Sequence, residues 1–314
     1  MSKIENRKSK IRIAIIGPGG IGCLFAGLLA ESGHEVCLVD RRPERSSLIS
    51  RNGLILECEG GARAVALQAS AFPADIGPVD LIILCVKAHE TAGTIKSILT
   101  LSRPETMVLS LQNGLGNLEA LESIVNGENL FAGVTTCGAT VVGLNHVRLG
   151  GMGATMVGSL HQNNGGARKL AQILSGAGIE TAETENTDGM LWSKLIINAA
   201  ICPVSVMAGL PNGDLAAAEK WRSLLVAAAE EGAKVAAALG ITLMYADPVR
   251  AMLEVCRKTS KNISSMLQDV RRGRSTEITQ INGALVSAAA GLGIDTPVNA
   301  MLHHAVLDRE KRQK

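Results

Sequence analysis

Apolar and polar positions follow two different periods in the first half of the chain. Residues 11–16 form a nearly continuous apolar run, and a second run covers residues 36–39. Runs of this kind predict parallel strands that are covered on both faces. Between them lie a glycine-rich turn and a segment with helical periodicity. Residues 11–40 are therefore predicted to form one strand–turn–helix–strand unit.

The same alternation continues to about residue 160. It predicts a hairpin over residues 53–57 and 63–67, and alternation of this kind implies a mostly parallel sheet with helices on both faces. The remaining predicted elements are helices over residues 91–101 and 118–124, and strands over residues 80–87, 106–112, 131–142, 147–149 and 154–160.

The glycine-rich turn of the strand–turn–helix–strand unit is a candidate binding site. Gly17 allows a tight turn, Gly19 lets the backbone approach a pyrophosphate, and Gly22 lets the helix pack closely on the strand. The helix that follows presents free N–H groups to phosphates. With a strand before it, a helix after it and Asp40 at the end of the next strand, the turn predicts a bound dinucleotide. Its residues are Gly17, Pro18, Gly19, Gly20, Ile21 and Gly22.

The pattern changes at about Thr187 to long helical periods with little strand signal. Thr187 and Asp188 are predicted to cap a helix that stops near Pro203. The predicted fold is α/β, a Rossmann-type doubly wound mostly parallel sheet followed by an all-helical C-terminal domain. Its predicted parts are a mobile tail (residues 1–10), a dinucleotide-binding domain (11–185) and a helical substrate and catalytic domain (186–314).

Composition and charge reduce the number of possible classes of function. The 314 residues, 46% apolar and 19% charged, suit a globular protein of two domains. A net charge of +2 and only six aromatic residues (two Trp, one Tyr, three Phe) disfavour nucleic-acid binding, and no apolar run is long enough to span a bilayer. Seven cysteines without a CxxC pair indicate a reducing cytoplasm, and no spacing typical of metal ligands is present.

Three polar features end predicted strands, at the edge where open parallel sheets bind ligands. They are Asp40 with Arg41 and Arg42, then Lys87, then Asn113. Polar residues at strand ends often only solvate the edge of a sheet. Because all three lie at the same edge as the dinucleotide turn, they are candidates for contact with cofactor or substrate.

A pair of polar residues lies in the predicted helix of the second half. Lys194 and Asn198 are four residues apart, so they share one helix face, and their neighbours are apolar. A lysine against apolar surface has a lowered pKa and can act as a general acid. The alternative is a lysine that packs its stem and reaches water with its ammonium group. Spacing alone favours the second interpretation.

A third polar cluster extends from Ser264 to Glu277. Ser265 and Asp269 share a helix face, and residues 271–274 break that helix. Ser275 or Thr276 can cap the next helix, which places Glu277 in its first turn, where the macrodipole favours a carboxylate. Capping is a sufficient structural explanation for Glu277. A catalytic role requires a spatial encounter with Lys194.

Taken together, these segments resemble the ketopantoate reductase family, the 2-dehydropantoate 2-reductases, over essentially the whole chain after the tail. Beyond the glycine turn, the resemblance rests on motifs in a fixed order. They are Cys85-Val86-Lys87-Ala88, Leu111-Gln112-Asn113-Gly114, Val134-Thr135-Thr136, Trp192-Ser193-Lys194-Leu195 with Asn198, Pro211-Asn212-Gly213, Ser264-Ser265-Met266-Leu267-Gln268-Asp269 and Thr276-Glu277-Ile278.

The resemblance implies an enzyme in which a nicotinamide cofactor delivers hydride to the ketone carbon of a 2-oxo acid. It implies that Lys194 donates the proton to the carbonyl oxygen, and that Glu277 lies near the cofactor and the lysine. Asp269 is expected to hold a helix or a lysine in place. Asn113 is expected to contact cofactor and substrate, Ala139 the cofactor, and Asn198, Asn212 and Ser265 the substrate.

One position departs from the family pattern. Cys202 stands four residues after Asn198, where family members usually carry asparagine. Loss of a hydrogen-bonding side chain weakens recognition of a substrate hydroxyl, by up to roughly 10⁴–10⁵-fold in the best cases. The substrate is therefore ketopantoate or a different 2-oxo acid, and Cys202 is interpreted as a packing residue at the substrate site.

Two questions stay open in the sequence. Asp40 would accept from a ribose 2′-hydroxyl and favour NAD, whereas Arg41 and Arg42 could bind a 2′-phosphate; the resemblance favours NADPH. An NADPH-binding sensor without turnover is the alternative to an enzyme of pantothenate and coenzyme A synthesis. The expected partners are a small 2-oxo acid and, through the apolar helical half, a second copy in a homodimer.

Overall fold

The computed structural model describes residues 10–312, so the mobile tail predicted for residues 1–10 lies, apart from Lys10, outside the described residues. The chain divides into two compact units. Unit 1 runs to Val86 and adds Glu90–Gln112 and Ala120–Glu185. Unit 2 comprises Lys87–His89, Asn113–Glu119 and the chain from Asn186 onward. Two short segments that follow strands in sequence are thus grouped with the helical half.

Unit 1 is built on strands with buried apolar middles. Ile13, Ala14, Ile15 and Ile16 of the first strand are at most 4% exposed, as expected for a strand covered on both faces. The described strands are β1 (Arg12–Ile16), β2 (Glu35–Val39), β3 (Leu54–Cys58), β4 (Gly61–Val65), β5 (Gln68–Ser70), β6 (Leu81–Leu84), β7 (Met107–Ser110), β8 (Leu130–Thr135), β9 (Gly138–Gly143), β10 (His146–Gly151), β11 (Thr155–Ser159) and β12 (Thr181–Thr184).

Eight of these strands form one sheet in the order β12-β11-β8-β7-β6-β1-β2-β5. The register of β1 pairs Ile15 with Leu38 of β2 and with Ile83 of β6, both in parallel. Only the β11–β8 pair is antiparallel among the described pairs of this sheet. The expected mostly parallel sheet of Rossmann type is confirmed.

The other four strands form a second sheet in the order β4-β3-β10-β9, which the sequence pattern did not predict. The predicted hairpin is confirmed as β3 and β4, paired antiparallel. The single strand predicted over residues 131–142 is wrong. The chain leaves the large sheet after Thr135, and the Thr136 N–H donates to the Ala154 carbonyl at 3.0 Å, so that Gly138 begins a strand of the second sheet.

Helices cover the sheet of unit 1 and make up the regular structure of unit 2 among the described residues from Asn186 onward. They are α1 (Gly20–Glu31), α2 (Pro43–Asn52), α3 (Pro73–Ile76), α4 (Thr91–Leu101), α5 (Asn117–Glu122), α6 (Asn164–Gly176), α7 (Thr187–Ala208), α8 (Asn212–Ala217), α9 (Glu219–Ala238), α10 (Pro248–Lys258), α11 (Ser265–Arg271), α12 (Ala284–Gly291) and α13 (Pro297–Lys311), with a π-helix at Thr279–Gly283 and two short 3₁₀ turns.

Helix α7 is the centre of unit 2, and it differs from its prediction at both ends. Its N-cap is Asn186, whose side chain accepts from the Gly189 N–H, rather than Thr187 or Asp188. It passes through Pro203 and ends only at Gly209, which has φ +70°. Packing outweighs the cost of an internal proline here, because the residues around Pro203 are buried in the helical core.

Contrary to the expectation that no apolar run is long enough to span a bilayer, helix α7 is, by length and composition alone, the one helix of the described chain that could cross a membrane. In the described structure, 72% of its apolar window is buried. A core helix of a globular domain passes the same test of length and composition, and burial on this scale accounts for its apolar surface.

Candidate active site

The glycine turn follows β1 and is shaped by close contacts of its backbone. Gly17 has φ +101°, a conformation that L side chains rarely adopt. A Cβ at Gly17 would lie 2.5 Å from the backbone nitrogen of Val86. A Cβ at Gly22 would lie 2.1 Å from the carbonyl oxygen of Gly17. These two glycines are therefore required by the fold of the turn.

Gly19 has a different environment. A Cβ at Gly19 would have no described atom within 4 Å, whereas one at Gly20 would lie 2.1 Å from the carbonyl oxygen of Ala139. Helix α1 begins at Gly20, no side chain caps its N-terminus, and its first turn contains no acidic residue. Its first N–H groups are thus available to an anion. The turn fits the pyrophosphate of a dinucleotide.

Asp40, at the end of β2, is 2% exposed and bound by two arginines. Its Oδ2 accepts from Arg45 Nη1 at 2.9 Å and from Arg42 Nη2 at 3.2 Å, and its Oδ1 accepts from the Arg42 backbone N–H at 3.1 Å. Arg42 remains half exposed, and Arg41 is 83% exposed and pairs with Glu90. The carboxylate of Asp40 is engaged inside the protein, and the half-exposed guanidinium group of Arg42 lies next to it.

Arg45 is a residue that sequence reasoning missed. Its side chain is 3% exposed and donates from Nη1 to the Pro18 carbonyl at 2.7 Å, in addition to Asp40. It also donates to the Leu144 carbonyl and to Cys23 Sγ. It therefore joins the glycine turn, the end of β2 and the loop before β10. Its position five residues after Asp40, on the helix that follows the strand, was the only signal in the sequence.

Unit 2 contains a cluster of charged and amide side chains around a buried carboxylate. Glu277 is 5% exposed, and its Oε1 accepts from the Ala88 N–H at 3.2 Å. Its Oε2 lies 3.1 Å from Asn113 Nδ2 and 3.5 Å from Lys87 Nζ. The same Lys87 Nζ lies 2.6 Å from Asp269 Oδ2. We call Lys87, Asn113, Asn198, Asp269 and Glu277 the Glu277 cluster.

The two carboxylates control the charge of Lys87. Burial lowers the pKa of its ammonium group, but the charges and hydrogen bonds of Glu277 and Asp269 outweigh that effect and raise it. Lys87 is therefore a cation at neutral pH. Glu277 directly precedes the helical turn that begins at Ile278, as predicted, and its backbone carbonyl accepts from the Ile281 N–H at 3.0 Å. Its carboxylate contacts Lys87, Ala88 and Asn113. Asp269 holds a lysine, as expected, and that lysine is Lys87.

Asn113 connects the cluster to helix α7. Its side-chain oxygen accepts from Asn198 Nδ2 at 3.3 Å while its own Nδ2 donates to Glu277. The chain beyond Asn113 is held as well, because the Leu115 N–H donates to the Gln280 carbonyl at 2.9 Å. The structure thus brings four predicted site residues, Lys87, Asn113, Asn198 and Glu277, into one hydrogen-bonded group.

Lys194, half-buried on α7, belongs to the surroundings of Cys202. Burial raises the pKa of the Cys202 thiol to about 12; the charge of Lys194 acts against this effect and that of Glu277 adds to it. Cys202 is 6% exposed and therefore a neutral thiol at physiological pH. It packs on α7 eight residues after Lys194 and four after Asn198, on the same helix face.

Two predicted substrate residues have other partners. Asn212 donates from Nδ2 to Thr259 Oγ1 at 2.9 Å, and its buried Oδ1 has no hydrogen-bond partner among the described residues. Ser265 is exposed, whereas its neighbour Ser264 is the N-cap of α11 and shares a short hydrogen bond with Ser205. Hydrogen bonds of the described residues join neither Asn212 nor Ser265 to the Glu277 cluster.

The described residues contain no evident set of ligands for a metal ion. Within residues 10–312, no group of three or more His, Cys, Asp and Glu side chains could hold a metal ion.

Comparison with known families matches both halves of the chain. Residues 13–162 match the model described as ketopantoate reductase PanE/ApbA, and residues 186–310 match its C-terminal counterpart. Among curated relatives, the 2-dehydropantoate 2-reductase of Pyrococcus horikoshii is 33% identical over 301 residues, which are 96% of this chain and 98% of the relative.

Solved structures give the same result. A PanE/ApbA family ketopantoate reductase from Ralstonia eutropha is 33% identical with a TM-score of 0.87, and the match covers 96% of this chain and 99% of that one. D-mandelate dehydrogenase in complex with NADH and anilino(oxo)acetate is 29% identical with a TM-score of 0.89, again over 96% and 99% of the two chains.

Proposed function

The chain belongs to the ketopantoate reductase family, and from this premise we propose that it reduces 2-dehydropantoate (ketopantoate) to pantoate, a step of pantothenate and coenzyme A synthesis. The observation that carries the proposal is the match of both halves of the chain, in order, to the two models of that family. The glycine turn and the Glu277 cluster supply the side chains and backbone groups that such a reaction requires.

The glycine turn is the proposed place of the cofactor pyrophosphate. The N–H groups at the start of α1 bind it, and the space at Gly19 allows its approach. Ala139 borders the turn through its carbonyl oxygen at Gly20, in accord with its assignment to the cofactor. When bound, the nicotinamide cofactor supplies a hydride to the ketone carbon of the substrate.

The environment of Asp40 supports NADPH over NADH. A carboxylate that reads a ribose 2′-hydroxyl must have free acceptor capacity, but both oxygens of Asp40 already accept from Arg42 or Arg45. The half-exposed guanidinium group of Arg42 lies beside it, and that of Arg41, the residue after Asp40, is exposed and pairs with Glu90; both suit a 2′-phosphate. We therefore infer that NADPH is the preferred cofactor.

Lys194 is the proposed proton donor. An ammonium group beside the ketone oxygen stabilises the developing alkoxide and then neutralises it. Asn198, one helical turn further on α7, is suited to hold the substrate by hydrogen bonds. In this proposal Glu277 and Lys87 fix Asn113, which contacts both cofactor and substrate. Asn212, with its unpartnered Oδ1, and Ser265, with its exposed hydroxyl, remain proposed substrate ligands.

A second candidate is a 2-oxo acid without the hydroxyl group of ketopantoate. The buried neutral thiol of Cys202 favours an apolar substrate group at that point of the site. The similarity to D-mandelate dehydrogenase points to the same class, because mandelate is a 2-hydroxy acid with an aromatic side chain. In this case the catalytic groups are unchanged and the substrate contacts differ.

The decisive measurement is oxidation of NADPH and, separately, NADH by the purified protein with ketopantoate, 2-oxoisovalerate and phenylglyoxylate. Highest kcat/KM with NADPH and ketopantoate is the expected result. A higher kcat/KM with phenylglyoxylate assigns the second candidate. If the protein binds the cofactor but none of the three acids causes NADPH or NADH to be oxidised, the proposed enzymatic activity is contradicted and a cofactor-binding sensor is supported. A cytoplasmic location and a homodimer stay predictions.

A further inference from the structure

The segment that carries Glu277 is tied to helix α13 on its N-terminal side. Thr276 donates from its backbone N–H and from Oγ1 to the same oxygen, Glu310 Oε1, at 2.8 and 2.5 Å. Its Oγ1 also accepts from the Ile278 N–H at 3.2 Å. Thr276 is 5% exposed and Ile278 is 1% exposed. The two residues that flank Glu277 are therefore held by one hydroxyl group and one carboxylate.

The C-terminal side of the segment is tied to the same helix. Asn282, within the π-helix, is fully buried and donates from Nδ2 to Asn299 Oδ1 and to the Ala199 carbonyl, both at 2.9 Å. Asn299 is also fully buried and donates to Glu231, whose carboxylate in turn accepts two N–H groups at the start of α13. Ala199 follows Asn198, so this link also reaches the part of α7 that carries a site residue.

The two ties lie on opposite sides of Glu277. Asn299 and Glu310 are eleven residues apart on α13, a separation of roughly 16 Å along the helix axis. Between the two ties, the Gln280 carbonyl of the π-helix accepts from the Leu115 N–H, which fixes the turn that carries Asn113. A π-helix inside a regular helix is frequent at functional sites because its wider turns change the pairing of backbone groups.

We propose that α13 positions the Glu277 carboxylate, with Glu310 and Asn299 as positioning residues that act through Thr276 and Asn282. The part of the proposal that concerns catalysis rests on the proposed function. The positioning itself does not, because it is a statement about the contacts of Glu277 in the protein alone.

Positioning matters because Glu277 makes three contacts at once. Its carboxylate accepts from Ala88 and Asn113 and pairs with Lys87, and the side chain that reaches them has three rotatable bonds. Each contact needs the backbone at Glu277 in one place. Misplacement of reacting groups by about 1 Å costs about a hundredfold in rate.

The first test compares Thr276→Val with Thr276→Ser. Valine has the shape of threonine but lacks the hydroxyl group, whereas serine keeps it. We expect Thr276→Val to lower kcat for the best 2-oxo acid by about ten- to a hundredfold with KM changed less than about threefold. Thr276→Ser is expected to restore kcat to within about threefold of the wild type, because the donor to Glu310 and the acceptor for Ile278 return.

Two controls on the same helix separate positioning from loss of stability. Val306→Ala removes a fully buried side chain of α13 without touching either tie, so it lowers Tm but leaves kcat within about twofold. Asp308→Asn removes an exposed ion pair with Lys311, and both quantities stay unchanged. If Val306→Ala lowers kcat as much as Thr276→Val at the same loss of Tm, the proposal is overturned.

The second readout needs no substrate. Amide hydrogen exchange, measured at Ala88 and Leu115 in the protein without ligands, reports the contacts of Glu277 and of the π-helix directly. Thr276→Val and Glu310→Ala are expected to accelerate exchange at Ala88 by at least about tenfold, and Val306→Ala is not. Unchanged exchange at Ala88 in both variants contradicts the positioning, even if the protein reduces none of the acids and the proposed function fails.

Discussion

The glycine turn of unit 1 and the Glu277 cluster of unit 2 are built in different ways. The turn occupies six consecutive residues and presents mainly backbone groups, whose positions are set by the lack of side chains. The cluster takes side chains from distant segments: Lys87 and Asp269 are 182 residues apart, and Asn113 and Glu277 are 164 apart. A site made of consecutive residues can be recognised from one sequence motif. A site made of distant side chains depends on how the whole unit packs.

The largest expected effect is a loss of kcat, in a variant of unit 2 that separates the catalytic step from cofactor binding. Lys194→Ala removes the proposed proton donor, so kcat should fall by about 10²–10⁴-fold. The glycine turn is unaltered, and the dissociation constant of NADPH should therefore stay within about twofold. Stopped-flow hydride transfer and a fluorescence titration of NADPH measure the two quantities.

Lys234→Ala is the matched control, because Lys234 is an exposed lysine of the same unit on α9. It should change neither turnover nor cofactor binding. If Lys194→Ala keeps more than about a tenth of the wild-type kcat, Lys194 is not the proton donor.

The next prediction concerns the turn and uses its two kinds of glycine. In Gly22→Ala the new methyl group meets the Gly17 carbonyl oxygen at 2.1 Å, so the turn must move. We expect a lower Tm and a loss of NADPH affinity of at least about a hundredfold, although alanine in a helix interior is normally favoured over glycine by about 1 kcal/mol.

Gly19→Ala sharpens the same prediction. Its methyl group enters open space, and Gly19 has an ordinary φ of −72°, so Tm should not change. NADPH affinity should still fall, because the methyl group occupies the proposed approach of the pyrophosphate. Unchanged affinity in Gly19→Ala, measured by isothermal titration calorimetry, would place the phosphates elsewhere.

These two regions also show how much could be predicted from the sequence. The turn, β1, α1 and β2 are set by contiguous patterns, and the helix at Thr91–Leu101 has the predicted bounds. The strand predicted over residues 131–142 failed because an apolar run does not reveal that a chain changes sheets at Thr136. The helix stop at Pro203 failed because burial in the core outweighs the local cost of proline.

The contacts of the site were harder to predict than its members. The sequence identifies Lys87, Asn113, Asn198 and Glu277 as candidates, but no pattern along the chain shows that Glu277 binds Lys87. Arg45 was missed for the same reason: a single arginine on an amphipathic helix has no signal of burial. Pairing across more than a hundred residues is a property of packing, and spacing along the chain does not encode it.

A pH prediction tests the electrostatics of the cluster. The pKa of Lys87 in the folded protein is raised above its ordinary value of 10.5, so its ion pairs contribute stability fully below pH 10.5. That contribution is lost as pH rises through the raised pKa. Glu277→Gln removes the largest of the raising charges, and the wild type should therefore lose more Tm than Glu277→Gln between pH 10 and pH 12.

The same variant should lower kcat by about ten- to a hundredfold at neutral pH, because a charge-assisted hydrogen bond network contributes about 1.5–3 kcal/mol per bond. Glu254→Gln, which breaks an exposed ion pair with Lys258, is the control for alkaline pH. Parallel Tm curves for the wild type and Glu277→Gln would show that Glu277 does not govern the titration of Lys87.

Cofactor preference gives a smaller expected effect. Arg42→Ala removes one exposed guanidinium group beside Asp40 but leaves Arg45 to pair with it. The ratio of kcat/KM for NADPH to that for NADH should fall by about tenfold, as expected for one charge-assisted contact in a partly exposed place. Arg51→Ala, on the helix α2 that directly follows Arg42, should leave the ratio unchanged. An unaltered ratio in Arg42→Ala would remove Arg42 from 2′-phosphate recognition.

The smallest effect concerns Cys202 and decides between the two substrates. Cys202→Asn introduces a hydrogen-bonding side chain on the face of α7 that carries Lys194 and Asn198. If a hydroxyl group of ketopantoate lies there, one added hydrogen bond is worth about 0.5–1.5 kcal/mol, and kcat/KM for ketopantoate should rise about two- to tenfold relative to phenylglyoxylate. Cys202→Ser, smaller and also polar, is the control for size. A ratio that stays constant in both variants would place Cys202 away from the bound acid, because a buried asparagine without a partner only costs stability.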